Sequence, residues 1–359
     1  MKIIIAIDSW KGCLSSQEAN EAAREGILEI CPDADVLTLN VSDGGEGWMD
    51  AVLHLSGGEK TIVQAHDALM RPLLTEYIRK GDTAFIECAK VIGLTMLRKE
   101  ELDPLHATSY GLGEVMVEAV RKGCRRIVLG LGGTATSDVG MGMLRAMEER
   151  FAEMDENEQV ELAGNISYVI ATDVRNPLCG KEGAAQVFAP QKGATPKDVE
   201  LLERRARLLA ARASRLMGRD CSCNPGAGAA GGLGYAFMQF LNARCCSGAD
   251  NLLRMADFNN MLENADLIIT GEGASDRQTL MGKLPYTVLE YAKAQHLPVW
   301  LVAGKVSDKT LLENAGFTQT VCVNPDDLPL ENALQKNVAT ANIRSTVQQL
   351  FSTFRPSYG

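Results

Sequence analysis

The sequence is short of aromatic side chains, of histidine and of positive charge. Phe, Trp and Tyr make up 5% of its 359 residues, so the core must be built from Ala, Leu, Ile, Val and Met. The four histidines, His54, His66, His106 and His296, stand in no Ser/His/Asp pattern, which argues against a hydrolase triad. The net charge of −10 sets aside an unspecific binder of nucleic acid or of a membrane surface. It does not oppose an anionic small substrate, because local lysines and helix N-termini hold phosphate inside acidic proteins. No apolar run approaches the ~18 residues of a membrane span. The opening apolar run, residues 1–6, is too brief for a secretory h-region, and the expectation is a cytoplasmic protein. Ten cysteines in such a chain read as buried, reduced thiols. Cys221, Cys223, Cys245 and Cys246 lack the C-x₂-C spacing of a zinc site.

What is present is ordinary globular material, 46% hydrophobic and 23% charged, in a length that suits two domains. Short apolar runs alternate with helical patterns, which predicts parallel sheets with crossover helices. Strands are expected over 2–7, 36–41, 83–88, 126–131, 168–172, 267–270, 299–302 and 318–323. Residues 61–77 look extended and hairpin-like. Helices are expected after the capping box at Ser15 and Glu18, and over 48–55, 109–122, 139–151, 197–217, 285–295 and 309–314. A broken helix is expected over 330–351 and a polar loop over 153–159. The first and last parts share a clean β–α alternation and the middle differs. This pattern fits a discontinuous α/β domain, residues 1–65 with 265–359, holding a second α/β domain, 66–264, inserted in it.

Five polar, glycine-containing clusters follow predicted strands, where open parallel sheets bind ligands. The first contains Asp8, Ser9 and Lys11, with Lys11 suited to neutralising a phosphate or carboxylate; a simple turn is the bland alternative. The second, residues 42–47, sets Asp43 and Glu46 among Gly44, Gly45 and Gly47. Free backbone N–H groups there suit an anion, and the two carboxylates suit a hard cation such as Mg²⁺. The third, residues 130–138, places Gly132, Gly133 and Thr134 before a helix, as a phosphate cradle would be, though no Walker lysine follows. The fourth holds Asp173 and Asn176 at a spacing that positions substrate hydroxyls or merely makes a turn before Pro177. The fifth, residues 271–283, gathers Glu272, Ser275, Asp276, Gln278, Thr279 and Lys283, more polar groups than a structural loop needs. By contrast, the G-x-G-x-x-G match at 226–231 lacks the strand that a dinucleotide fingerprint requires before it, so close backbone packing or contact with a nucleotide is the better reading.

These clusters resemble, in order, those of the bacterial glycerate kinases. The run from Ala6 to Ser15 is similar to that family's A-P-D-S-F-K-G-S-L-S. Residues 42–47 are similar to A-D-G-G-E-G, and 132–138 to G-G-S-A-T-N-D. Residues 173–180 match D-V-x-N-P-L-x-G, 188–194 match F-x-P-Q-K-G-A, and 225–234 match P-G-A-G-A-A-G-G-L-G. Residues 271–283 match G-E-G-x-x-D-x-Q-T-x-x-G-K in full. Departures include Lys90, where the family has a small residue, Ser137 for its Asn, and 67–72 in place of its Gly-Pro-Leu-Gly-Arg-Pro turn.

The resemblance implies two α/β domains, the discontinuous one flavodoxin-like, with the active site in the cleft between them. It implies transfer of the ATP γ-phosphoryl to D-glycerate, giving 2-phosphoglycerate or 3-phosphoglycerate. A kinase for a related hydroxy or sugar acid, or a ligand-binding regulator descended from a kinase, are the alternatives. In this reading Lys11 and Lys283 carry phosphate or carboxylate charge, and Asp43, Glu46 and Glu272 are Mg²⁺ candidates. Asp173 or Asp276 accepts the substrate proton. Asp8, Ser9, Gly44, Gly45, Gly132, Gly133, Thr134, Asn176, Gln278 and Thr279 bind substrate or phosphate. The partner is a small molecule, and a homodimer is compatible with the reading.

Overall fold

The computed structural model describes residues 1–354 except Lys11, Asp43, Glu46 and residues 155–165. The polar loop expected over 153–159 therefore lies mostly outside the described residues. The chain divides into two compact units, Met1–Asp43 with Ala249–Gly359, and Gly44–Gly248. Eleven strands are described: β1 (Lys2–Ile7), β2 (Asp35–Thr38), β3 (Glu59–His66), β4 (Pro72–Lys80), β5 (Thr83–Glu87), β6 (Arg126–Gly130), β7 (Ser167–Ala171), β8 (Arg244–Cys246), β9 (Leu267–Ser275), β10 (Val299–Val306) and β11 (Gln319–Cys322).

The first unit holds a parallel sheet in the order β2-β1-β9-β10-β11. Numbered within the unit this is 2-1-3-4-5, the flavodoxin-like order. The Ile-rich β1 lies inside the sheet between β2 and β9, and Ile3 to Ile7 are fully buried, as befits a parallel strand covered on both faces. The helix Ser16–Leu28 starts where expected: Ser15 accepts from the Glu18 N–H, and the Glu18 side chain returns to the Ser15 N–H. That helix and Lys336–Thr353 cover one face, with Ile3, Ile5, Ile27, Trp300, Ile343 and Phe351 in a common core.

The second unit holds a six-stranded sheet in the order β3-β4-β5-β6-β7-β8. β3, β4 and β5 are antiparallel neighbours, and β5 to β8 run parallel. The helices Tyr110–Arg121 and Met141–Ala152 pack on each other over a core that includes Tyr77, Leu112, Met143 and Phe237. The long helix Pro196–Met217 opens with a Thr195/Asp198 capping box and closes at Gly218, whose φ of 67° only glycine adopts easily.

The observed division differs from the expected boundaries. β3 pairs with β4 along its whole length, so residues 44–65 belong with the second sheet. Residues 249–264 belong with the first unit, where Tyr291 hydrogen-bonds Asp250 at 2.8 Å and meets Phe258 edge to face. The cysteines also differ from the expected burial. All ten are free, but Cys223, Cys245 and Cys322 are exposed: Cys245 and Cys322 lie on β8 and β11, the edge strands of their sheets, and Cys223 lies in a turn.

Candidate active site

In the first unit, connections leave β1 and β9 in opposite directions along the sheet, which makes their carboxyl ends the switch point where such sheets take ligands. Asp8 sits there. Its N–H bonds the Gly271 carbonyl at 2.9 Å, and its Oδ1 accepts from the Ser9 N–H at 2.7 Å. Lys11 lies outside the described residues.

β9 is longer than expected. Residues 271–275, read from sequence as loop, pair with β10 through Ala303, Lys305 and Val306. Glu272 is therefore a strand residue, nearly buried beside Asp8's strand. Its Oε2 accepts from Lys283 Nζ at 2.9 Å, and its Oε1 from Thr279 Oγ1 at 2.6 Å and Ser275 Oγ at 3.1 Å. Thr279 Oγ1 in turn receives the Asp276 N–H at 3.0 Å, and Asp276 Oδ1 receives the Gln278 N–H at 2.7 Å. One carboxylate thus organises the whole segment that presents Asp276, Gln278 and Lys283.

The second unit brings three more clusters together. Glycine at 132 is required by proximity: a Cβ there would stand 2.2 Å from Gly45 Cα. The Gly132 N–H also donates to the Gly44 carbonyl at 3.0 Å. At Gly44, φ is +93° and a Cβ would stand 2.6 Å from the Ala171 oxygen at the end of β7. Gly44, Gly45, Gly132 and Gly133 thus share one place above the carboxyl ends of β6 and β7. Thr134 extends it, bridging to Gly93. Asp173 follows β7, and its Oδ1 accepts from Ser247 Oγ at 2.5 Å and the Gly248 N–H at 3.0 Å, both just after β8. Asn176 is turned to structure: its Nδ2 donates to the Glu182 carbonyl at 2.7 Å and its own carbonyl accepts from Gly228.

The glycines of 226–234 serve close packing. Backbone bends left-handed at Ala230, Gly231 and Gly232, and a Cβ on Gly231 would stand 2.0 Å from the Thr136 oxygen. The segment thereby buttresses the loop 132–138 from behind.

Two residues were not assigned a role from the sequence. Glu87, at the end of β5, accepts the N–H groups of Met49 (2.9 Å) and Gly47 (3.3 Å) at the start of the helix Trp48–Ser56. Burial pushes its carboxyl up to about 7, opposed by those N–H groups and by Lys90. Lys90 bonds Glu76 at 3.1 Å and lies 3.5 Å from Asp50. Lys192, within the 188–194 motif, donates to the Thr136 carbonyl at 2.6 Å and to Thr134 Oγ1 at 3.4 Å. The motif match was the only sequence signal for it, since a lone lysine in a turn otherwise reads as surface.

Among the described residues no group of three or more His, Cys, Asp or Glu is placed to hold a metal, and both oxygens of Glu272 already have partners. Asp43 and Glu46 lie outside the described residues.

Glycines packed at strand ends beside a hydroxyl, with an acid after the next strand, do not by themselves name a reaction. The comparisons supply the family. The model of the glycerate kinase family matches residues 3–355. The chain belongs to the glycerate kinase family. It is 36% identical to the glycerate kinase of Bacillus subtilis, over 93% of each chain. It is 35% identical to the glycerate 2-kinase of Escherichia coli, over 86% of each. A crystal structure assigned to a glycerate kinase 2 of Salmonella typhimurium superposes with a TM-score of 0.76 at 36% identity, covering 98% of both chains. Membership of this family makes the chain a phosphotransferase with an alcohol acceptor, and implies ATP as donor.

Proposed function

We propose that the chain transfers the γ-phosphoryl group of ATP to a hydroxyl of D-glycerate, with 2-phosphoglycerate as the product. The observation that carries this reading is the joint packing of Gly44, Gly45 and Gly132 at the strand ends, with Thr134 continuing the same loop, inside a chain of this family. The Gly132 N–H, given to the Gly44 carbonyl, holds the two loops together; the other N–H groups of such glycine-rich loops neutralise and orient phosphate without covalent chemistry, which is most of what phosphoryl transfer asks of a protein.

The residues are assigned as follows. Gly132, Gly133 and Thr134, with Gly44 and Gly45, receive phosphate. Lys11 and Lys283 carry charge opposite the transferring group or the glycerate carboxylate. Glu272 holds Lys283 at 2.9 Å and so fixes where that charge stands. Asp173 or Asp276 takes the proton of the attacking hydroxyl; Asp173 is already oriented by Ser247 and Gly248. Asp8, Ser9, Gln278 and Thr279 complete the substrate contacts, with Thr279 acting through Glu272. ATP is read as arriving with Mg²⁺, for which Asp43 and Glu46 are the candidate protein ligands; no step here is routed through it. Free cysteines throughout suit a reducing, cytoplasmic setting. Among the described residues no helix is long and apolar enough to cross a membrane.

The test is a pair of variants assayed against a panel of hydroxy acids. Lys11→Ala and Asp276→Asn are each expected to lower kcat on D-glycerate by about 100-fold or more, with thermal midpoints close to wild type. Wild-type turnover in both purified variants would remove these assignments. A faster reaction with a sugar acid than with D-glycerate would move the substrate.

A further inference from the structure

Lys192 is 3% exposed, yet it has no carboxylate partner within ion-pair distance among the described residues. Its two acceptors, the Thr136 carbonyl and Thr134 Oγ1, are both neutral. The charged group that bears on it is Asp138, whose carboxylate is already held by the Ser109 N–H and Oγ and by the N–H groups of Gly140 and Gly142. An ammonium has three donors, and Lys192 uses two. Beside it, Thr136 Oγ1 and Ser137 Oγ are buried and make no hydrogen bond. Ser137 is one of the positions where this chain departs from the family motif. The cluster therefore has donors to spare and a positive charge whose one charged neighbour, Asp138, is hydrogen-bonded to other groups, in a place where burial heavily penalises both. A small anion on the loop 132–137 would satisfy the charge.

We propose that Lys192 is the internal counter-charge for an anionic group bound on the loop 132–137, acting through Thr134 as a positioning residue for phosphoryl transfer. Thr134 Oγ1 accepts from Lys192, which leaves its hydroxyl proton to be donated to the anion. The Thr136 carbonyl, held by the same ammonium, fixes the loop's shape. The anion's class, phosphoryl or carboxylate, rests on the function proposed above; the need for a counter-charge does not.

Two consequences separate this role from a merely structural one. Burial pulls the Lys192 ammonium down to about 7, opposed only in part by the Asp138 carboxylate, so an arriving anion should draw a proton from solvent onto it. And Lys192→Met, which removes an uncompensated buried charge, should stabilise the empty protein while weakening the reaction; a structural lysine would do the reverse.

The experiment is done on the full chain at pH 8, where D-glycerate and ATP are fully ionised. Calorimetric titration of each, in buffers of different ionisation enthalpy, is expected to show uptake of up to about one proton in the wild type for one of the two ligands and none in Lys192→Met. The variant should melt higher at pH 7 and lose about 10-fold to 100-fold in kcat with a smaller change in KM. Equal proton uptake in both proteins, or a variant that melts lower with kcat intact, overturns the proposal. Should Lys192→Met not fold, Thr134→Val keeps the lysine and is expected to lose the same proton uptake; retention there overturns it. Sulfate, inert in the reaction, gives an arm independent of the substrate. It should raise the melting temperature of the wild type and not of Lys192→Met, even if D-glycerate proves not to be the acceptor. Equal sulfate shifts would sink the proposal and leave the kinase reading standing.

Discussion

At the scale of single residues, the groups that matter most are those whose burial and charge disagree. Glu87 is 2% exposed, and both its oxygens face backbone N–H groups at the head of the helix Trp48–Ser56. Burial raises its carboxyl from 4.5 to about 7. The folded state therefore holds a proton that the unfolded chain has lost between those two values. The associated stability is fully present below about pH 4.5 and is lost as pH rises through 7. This component should be on the order of 3 kcal/mol, and Glu87→Gln should remove it. Denaturant melts at pH 5 and pH 8 check this: the wild type should lose more stability across the interval than the variant, and equal losses would refute it. Glu87 was not legible in the sequence, which gave it no role. Nothing in the local pattern says that its partners are the N–H groups of residues 47 and 49, forty positions away. Glu272, Asp276 and Lys283 were legible because one contiguous segment carries them all. What the sequence left open was that Glu272 would be the hub.

At the scale of elements, strand ends and glycine-rich loops were easy to place. Apolar runs bounded by glycine and polar residues have few other solutions, and β1, β6, β7 and β10 begin at or within one residue of where expected. Polarity misled the reading of residues 271–275, which looked like loop. They are strand because β10 continues alongside and takes their ladder bonds, a tertiary reason that composition does not carry. The helix Ala229–Phe240 hides a left-handed bend at 230–232 for the same kind of reason, the approach of Thr136. The joint between the two phosphate-site loops is Gly132 against Gly45. Gly132→Ala must part the two loops, and is expected to cost about 1–3 kcal/mol in unfolding free energy with a loss of turnover well beyond that of Glu87→Gln. Urea denaturation and steady-state kinetics on the two variants decide it; an alanine tolerated without loss of activity would mean that the two loops need not pack to bind phosphate.

At the scale of the whole chain, the two-unit organisation was legible in texture but not in its boundaries. The flavodoxin-like order of the first sheet comes from strands at both ends of the sequence, and the alternation of those ends showed it. The hairpin at 61–77 was visible too, but the boundary expected at 65/66 cut it within its first strand, before His66, because a pattern of residues does not say which sheet an edge strand joins. The candidate residues are spread over both units: Asp8, Glu272, Asp276 and Lys283 in the first, Gly44, Gly132, Thr134 and Asp173 in the second. Their common purpose is the central claim, and the most direct test is the reaction itself. Purified full-length protein is incubated with D-glycerate, ATP and Mg²⁺, ADP release is followed by a coupled assay, and the product is identified by ³¹P NMR. The account predicts ADP release that depends on D-glycerate and a single new resonance from 2-phosphoglycerate. ADP release no faster than with ATP alone, from protein that is demonstrably folded, would contradict it.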